Sequence, residues 1–95
     1  MEKKMAHWLK VLSDHNRLKI IKMLLEGEDC ACRLMDSFPF SQPTLSYHLK
    51  VLNEANLTIT KRDGNWMKHT VNKHVLDEII QYFTDLKETK PTCSL

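Results

Sequence analysis

At Leu57 the apolar spacing of this 95-residue chain changes from three-and-four to two. Before it, apolar residues recur as they do along one face of a helix. After it, Leu57, Ile59 and Lys61 alternate with Thr58, Thr60 and Arg62, a run rich in β-branched residues that predicts a strand. Asp63-Gly64-Asn65 then predicts a hairpin turn, because Asp-Gly supplies the positive φ that tight turns need. A return strand follows over 66–72, with Met67, His69 and Val71 on one side. Helical periodicity alone would give a small α-rich domain; a hairpin placed after the helices narrows the choice considerably.

Four helices are predicted ahead of the hairpin. Met5, Trp8, Leu9 and Leu12 form the apolar stripe of the first. Ser13 and Asp14 interrupt it and can cap the second, whose apolar positions are Leu18, Ile21, Leu24 and Leu25, with Lys19 and Lys22 turned outward and Gly27 as the stop. A short third helix over 30–37 uses Cys30, Ala31 and Leu34 for contacts, and Pro39 prevents it from running on. Ser41 is the N-cap of the fourth, Pro43 is tolerated in its first turn, and Leu45, Leu49 and Leu52 form its buried stripe. A last helix carries Leu76, Ile79, Ile80, Phe83 and Leu86.

The predicted class is therefore mainly α with a β-hairpin wing (α+β), a winged helix-turn-helix in the order α-α-α-α-β-β-α. One domain is expected over residues 1–89, with a flexible tail over 90–95. The stripes of the first and last helices are more than so short a chain covers alone, so pairing across a two-fold axis, a homodimer, is expected.

A major groove accepts one α-helix, whose projecting side chains read base edges. On the fourth helix Pro43, Ser46, Tyr47 and Lys50 cluster opposite the leucines, with Gln42 nearby and Thr44 at the edge, within reach of phosphate. Gln pairs bidentately with adenine, Ser donates or accepts, and Lys reaches guanine or a phosphate. The whole chain carries a net charge of only +2, too little to argue for nucleic acid by itself. Its placement says more. Over residues 41–72 Lys50, Lys61, Arg62 and Lys68 stand against Glu54 and Asp63, so the entire net charge can be located there. Lys61, Arg62 and Lys68 flank the hairpin tip and suit phosphate contacts. Double-stranded operator DNA is the expected partner.

Three runs carry a family resemblance: Val11-Leu12-Ser13-Asp14-His15-Asn16-Arg17-Leu18, Cys30-Ala31-Cys32-Arg33-Leu34, and 41–52, which reads Ser-Gln-Pro-Thr-Leu-Ser-Tyr-His-Leu-Lys-Val-Leu. They resemble the ArsR/SmtB family of metal-responsive repressors over roughly residues 5 to 88. The resemblance implies a dimer that binds an imperfect inverted repeat and releases it when an inducer binds. It places base reading on Gln42, Ser46 and Tyr47; many relatives have His where this chain has Tyr47, which implies a different operator preference.

Glu28-Asp29-Cys30-Ala31-Cys32-Arg33-Leu34 is similar to the thiol motif of the arsenite-sensing branch. Trivalent arsenic takes thiolates, typically three, so arsenite or antimonite is the implied inducer, with cadmium, lead or zinc sensing as alternatives. Residues i and i+2 lie about 200° apart on a regular helix, so one ion gathering both sulfurs must distort the helix start. The third helix positions the fourth, which couples such a distortion to DNA. The third ligand stays open between Cys93, from either subunit, and a small thiol or water. Asn72, His74, Asp85 and Glu88 match a second, zinc-binding family site, where Asn for Asp and Asp for His weaken a zinc preference. A redox-responsive repressor using the same cysteines and a winged helix without inducer are the competing readings. No Gly-rich phosphate loop or nucleophile–base motif is present, so neither an enzyme nor an organic cofactor is expected. The start of the chain has no apolar stretch behind its charges, and no apolar run approaches a membrane span, so a cytoplasmic location without membrane attachment is expected.

Overall fold

The computed structural model describes residues 1–28 and 31–92, and of Cys32 the backbone only. The elements are α1 (Glu2–Leu12), α2 (His15–Leu25), α3 (Ala31–Met35), α4 (Gln42–Glu54), β1 (Thr58–Asp63), β2 (Trp66–Val71) and α5 (Lys73–Glu88). This is the predicted order. The predicted third helix is described over Ala31–Met35 and ends short of Ser37; Cys30 lies outside the described residues, as does Cys93 in the predicted tail.

Local chemistry explains the boundaries. Asp14 caps α2 by accepting from the Asn16 amide at 2.8 Å. At the other end Gly27 takes φ +101°, while its amide donates to Leu24 O and that of Glu28 donates to Met23 O. That pair of bonds is a Schellman closure, in which a left-handed residue satisfies the last carbonyls. The same closure ends α4. Asn56 takes φ 63°, its amide donates to Asn53 O, and the Leu57 amide donates to Leu52 O. Asn is one of the few side chains that tolerates this region. The turn drops Leu57, fully buried, beside Leu52 and launches β1, so the change of period seen at Leu57 has a definite backbone cause.

β1 and β2 pair antiparallel from Thr58↔Val71 to Asp63↔Trp66, leaving Gly64 and Asn65 as a two-residue turn with Gly64 at φ +62°. Strand alternation puts Thr58, Val71, Thr60, His69, Arg62 and Met67 on the face toward the body. Ile59, Thr70, Lys61, Lys68, Asp63 and Trp66 fall on the other.

The core gathers Met5, Trp8 and Val11 of α1, Ile20, Ile21 and Leu24 of α2, Leu34 of α3, and Leu45, Leu49 and Leu52 of α4. Phe38, Ala55, Leu57, Val71 and Val75 complete it. Two predicted faces are corrected. On α2, Leu18 and Leu25 are exposed and Ile20 is buried in their place. On α1, Leu9 is 40 % exposed while Val11 is buried. Met5 and Trp8 pack inside the protomer, and the Trp8 indole donates to Ala55 O at 2.9 Å, fastening α1 to the end of α4. They are therefore not part of a free face, as the predicted pairing of whole stripes had them.

Candidate nucleic-acid interface

α4 begins with Ser41 as N-cap and Pro43 in its first turn. The Ser41 hydroxyl makes no cap bond; it lies 3.2 Å from that of half-buried Thr44, which bridges the helix start. Leu45, Leu49 and Leu52 are buried as predicted, and Gln42, Pro43, Ser46, Tyr47 and Lys50 are exposed. A leucine stripe locked into the core fixes the rotation of the helix, and with it the direction in which the polar face points.

Tyr47 is 58 % exposed yet has partners behind it. Arg17 sits 6.0 Å from its ring, a cation–π distance, and the His48 ring is 5.8 Å away. The Arg17 guanidinium donates through Nε to His48 Nδ1 at 3.1 Å and through an Nη to Val11 O at 3.2 Å. One side chain thus joins the end of α1, the first turn of α2 and the buried face of α4. Phe40 lies 5.4 Å from His48 and stacks on Phe38 at 4.9 Å, which seats the loop between α3 and α4. Asp14, beside Arg17, has its carboxyl held below the usual range. Burial acts upward on it, but the Asn16 and Arg17 amides, then the charges of His48 and Arg17, outweigh that. Sequence reasoning missed Arg17 and His48. The signal for His48 was its place on the 45–48–49–52 stripe, where a polar residue must find an internal partner.

The wing carries its cations around the tip. Lys61 and Lys68 stand directly opposite each other, and Lys68 pairs with Asp63 at 3.1 Å. Arg62, on the other face, donates to Gly64 O. Lys50 pairs loosely with Glu54 at 3.8 Å. Exposed pairs of this kind hold about 1 kcal/mol or less. Trp66 is 63 % exposed at the tip.

Between α4 and the wing runs a cleft of about 400 Å³ lined by Ala31, Ser46, Leu49, Lys50, Asn53, Thr60, Met67 and His69. Thr60 Oγ1 donates to Asn53 Oδ1 at 3.2 Å and lies 3.1 Å from His69 Nδ1, tying the hairpin to the helix. Burial holds His69 below the ordinary histidine value.

Cys32 is the second residue of α3, and α3 packs against both α4 and β2. Among the described residues no three His, Cys, Asp or Glu side chains come together. Asn72 spends its side chain capping α5, accepting from the Val75 amide at 3.4 Å. His74, Asp85 and Glu88 lie exposed at the two ends of that helix.

A capped helix with a polar outer face, set behind a short helix and beside a basic hairpin, defines a winged helix-turn-helix DNA-binding domain. Residues 14–59 match the model of the bacterial regulatory proteins of the arsR family. The chain is 43 % identical over 91 residues to an arsenical resistance operon repressor of Staphylococcus aureus, covering 96 % of this chain and 88 % of that one. An ArsR-like transcriptional regulator from Rhodococcus superposes with a TM-score of 0.81 at 20 % identity, over 90 % of this chain and 81 % of that one. The homodimeric winged helix-turn-helix domain of a possible ArsR-family regulator from Mycobacterium bovis gives 0.71 at 19 %, over 98 % and 87 %. The chain belongs to the ArsR family. It is a DNA-binding transcriptional repressor, not an enzyme. No helix among the described residues is long and apolar enough to cross a membrane.

Proposed function

We propose that the chain is a homodimeric repressor that binds operator DNA through Gln42, Ser46, Tyr47 and Lys50, with Pro43 and Thr44 at the helix start and Lys61, Arg62 and Lys68 on phosphate. It lets go when arsenite or antimonite is gathered by the thiolates of Cys30 and Cys32, with Cys93 or a small thiol as third ligand. The similarity to an arsenical resistance operon repressor supports the inducer class. The observation that carries the coupling is one of placement: Cys32 stands in the single short turn of α3, and α3 packs on the helix that reads DNA. A five-residue helix has few hydrogen bonds to lose, so an ion that draws in residues on both sides of Ala31 shifts its first turn cheaply. The shift reaches the packed face of α4.

Dimerisation is supported by α5. Ile80, Phe83 and Leu86 are 61 %, 45 % and 50 % exposed, and Ile79, Ile80, Phe83, Thr84 and Lys87 border an open groove of about 350 Å³. Apolar side chains at this spacing are a helix face without its cover.

The test is a fluorescence-anisotropy titration on DNA from the chain's own promoter, under strong reductant, with arsenite, antimonite, cadmium, lead and zinc in turn. Release by arsenite and antimonite but not by zinc is expected. Cys30→Ser and Cys32→Ser should bind DNA as the wild type does and stay bound at inducer concentrations that empty it. Normal release from either variant would overturn the thiol assignment while leaving the DNA assignment standing.

A further inference from the structure

We infer that the cleft between α4 and the wing is a seat for one DNA-backbone phosphate, held by Lys50 and Nε2 of His69. The inference rests on the DNA-binding assignment and adds His69 as a positioning residue that the polar face of α4 does not include.

The cleft opens where the two DNA-facing elements meet. Ser46, Lys50 and Asn53 follow one another along α4 at helical spacing and form one wall; Thr60, Met67 and His69 form the other. Leu49, Met67 and Ala31 make its floor apolar. A duplex read by α4 and flanked by the hairpin must carry a backbone strand across the gap between them. Lys50 is the one cation among the described lining residues, and its bond to Glu54 is long. Among the described residues the Ser46 hydroxyl has no hydrogen-bond partner.

A hydroxyl has one hydrogen, and that of Thr60 goes to Asn53 Oδ1. At the 3.1 Å contact with His69 the Thr60 oxygen must therefore accept, so Nδ1 carries the ring proton. In the neutral ring Nε2 is then a bare lone pair on a side chain that lines the cleft. It repels an anion until it is protonated, after which it is a charge-assisted donor. In the free protein burial favours the neutral form. Lys50, paired with Glu54, shares the cleft lining with the ring, and Arg62 lies one rung nearer the tip on the same hairpin face, turned to Gly64 O. Ala31 of α3 and Met67 of β2 contribute no charge. Phosphate is the partner that reverses the balance, so DNA binding takes up a proton at His69. The sign follows: the complex holds the proton more tightly than the free protein, and affinity rises as pH falls through the complex's value toward the lower free value.

The test is anisotropy on promoter DNA at pH 8 and pH 6 at fixed ionic strength, for wild type, His69→Gln and His69→Asn, with circular dichroism at both pH values to confirm folded protein. Gln places a permanent donor near the Nε2 position; Asn keeps only the Nδ1-like contact to Thr60. Wild type should bind about three- to tenfold tighter at pH 6 than His69→Asn does, and about equally at pH 8, the increment of up to one unit of proton linkage. His69→Gln should show no such increment between the two pH values. An increment of the same size in all three proteins assigns it elsewhere and overturns the proposal. Inorganic phosphate at matched ionic strength is the arm for the ligand chemistry: as a competitor for the same seat it should shrink the His69 increment in step with its concentration, and an increment indifferent to phosphate would overturn a phosphate seat. Binding at pH 8 tests the DNA assignment itself, independently of His69.

Discussion

α4 and α5 are both amphipathic helices with an apolar residue at nearly every third or fourth position, yet their apolar faces meet different fates. α4 places Leu45, Leu49 and Leu52 at 1 %, 5 % and 0 % exposure. α5 buries Val75, half-covers Leu76, Ile79 and Tyr82, and leaves Ile80, Phe83 and Leu86 open. The difference separates an apolar face that the protomer closes by itself from one that it leaves open. A closed core holds α4 in one rotation, and with it the direction of its polar face. The last helix faces outward, where a two-fold partner can cover it.

The largest effect should come from α4. Leu52→Ala removes a fully buried side chain and should lower unfolding free energy by about 2–5 kcal/mol, read from the midpoint of urea unfolding. Because that core lies within one chain, the loss should be the same at low and high protein concentration. A loss that grew on dilution would show α4 to be part of the intersubunit region, and the contrast would collapse.

Next is α5. Phe83→Glu puts a charge on the open face and should leave helical content near wild type while converting the dimer to monomer by analytical ultracentrifugation. DNA affinity should then fall tenfold or more, about 1.4 kcal/mol at least, because one protomer engages one half-site. A dimer that persists would move the interface off α5.

How far this contrast was legible beforehand depends on what decides each face. On α4 the leucines at 45, 49 and 52 gave the buried side directly, since they form its largest aliphatic row at helical spacing. On α2 the same reasoning chose Leu18 and Leu25 over Ile20. All three lie close to the stripe's edges, and which edge is covered depends on α1 and β2, whose approach no local pattern encodes. On α1 Val11 displaced Leu9 for the same reason. The wing's pairing followed from its turn residues, but the Asn53–Thr60–His69 chain did not. It needs the cross-strand register and the Schellman exit of α4 together. The thiol motif was visible only as spacing and resemblance, since the sequence does not say how two sulfurs beside one alanine are brought to an ion.

The smallest effect probes a flaw in the closed region. Thr58 opens β1 at 2 % exposure, and its Oγ1 has no hydrogen-bond partner among the described residues. A buried orphan hydroxyl costs about 1–3 kcal/mol in desolvation, which its backbone position in the hairpin does not return. Thr58→Val replaces the hydroxyl with a methyl of similar size and keeps the β-branched shape the strand favours. Stability should rise by about 1 kcal/mol, seen as a Tm higher by about 4–8 °C, with the urea slope and DNA affinity unchanged. The contrast between the helices depends on the sign. A gain means the surroundings of Thr58 are already apolar and closed within one protomer, as around α4. A loss means that the hydroxyl finds a partner in the working assembly, and that the second copy reaches further into the fold than the open face of α5.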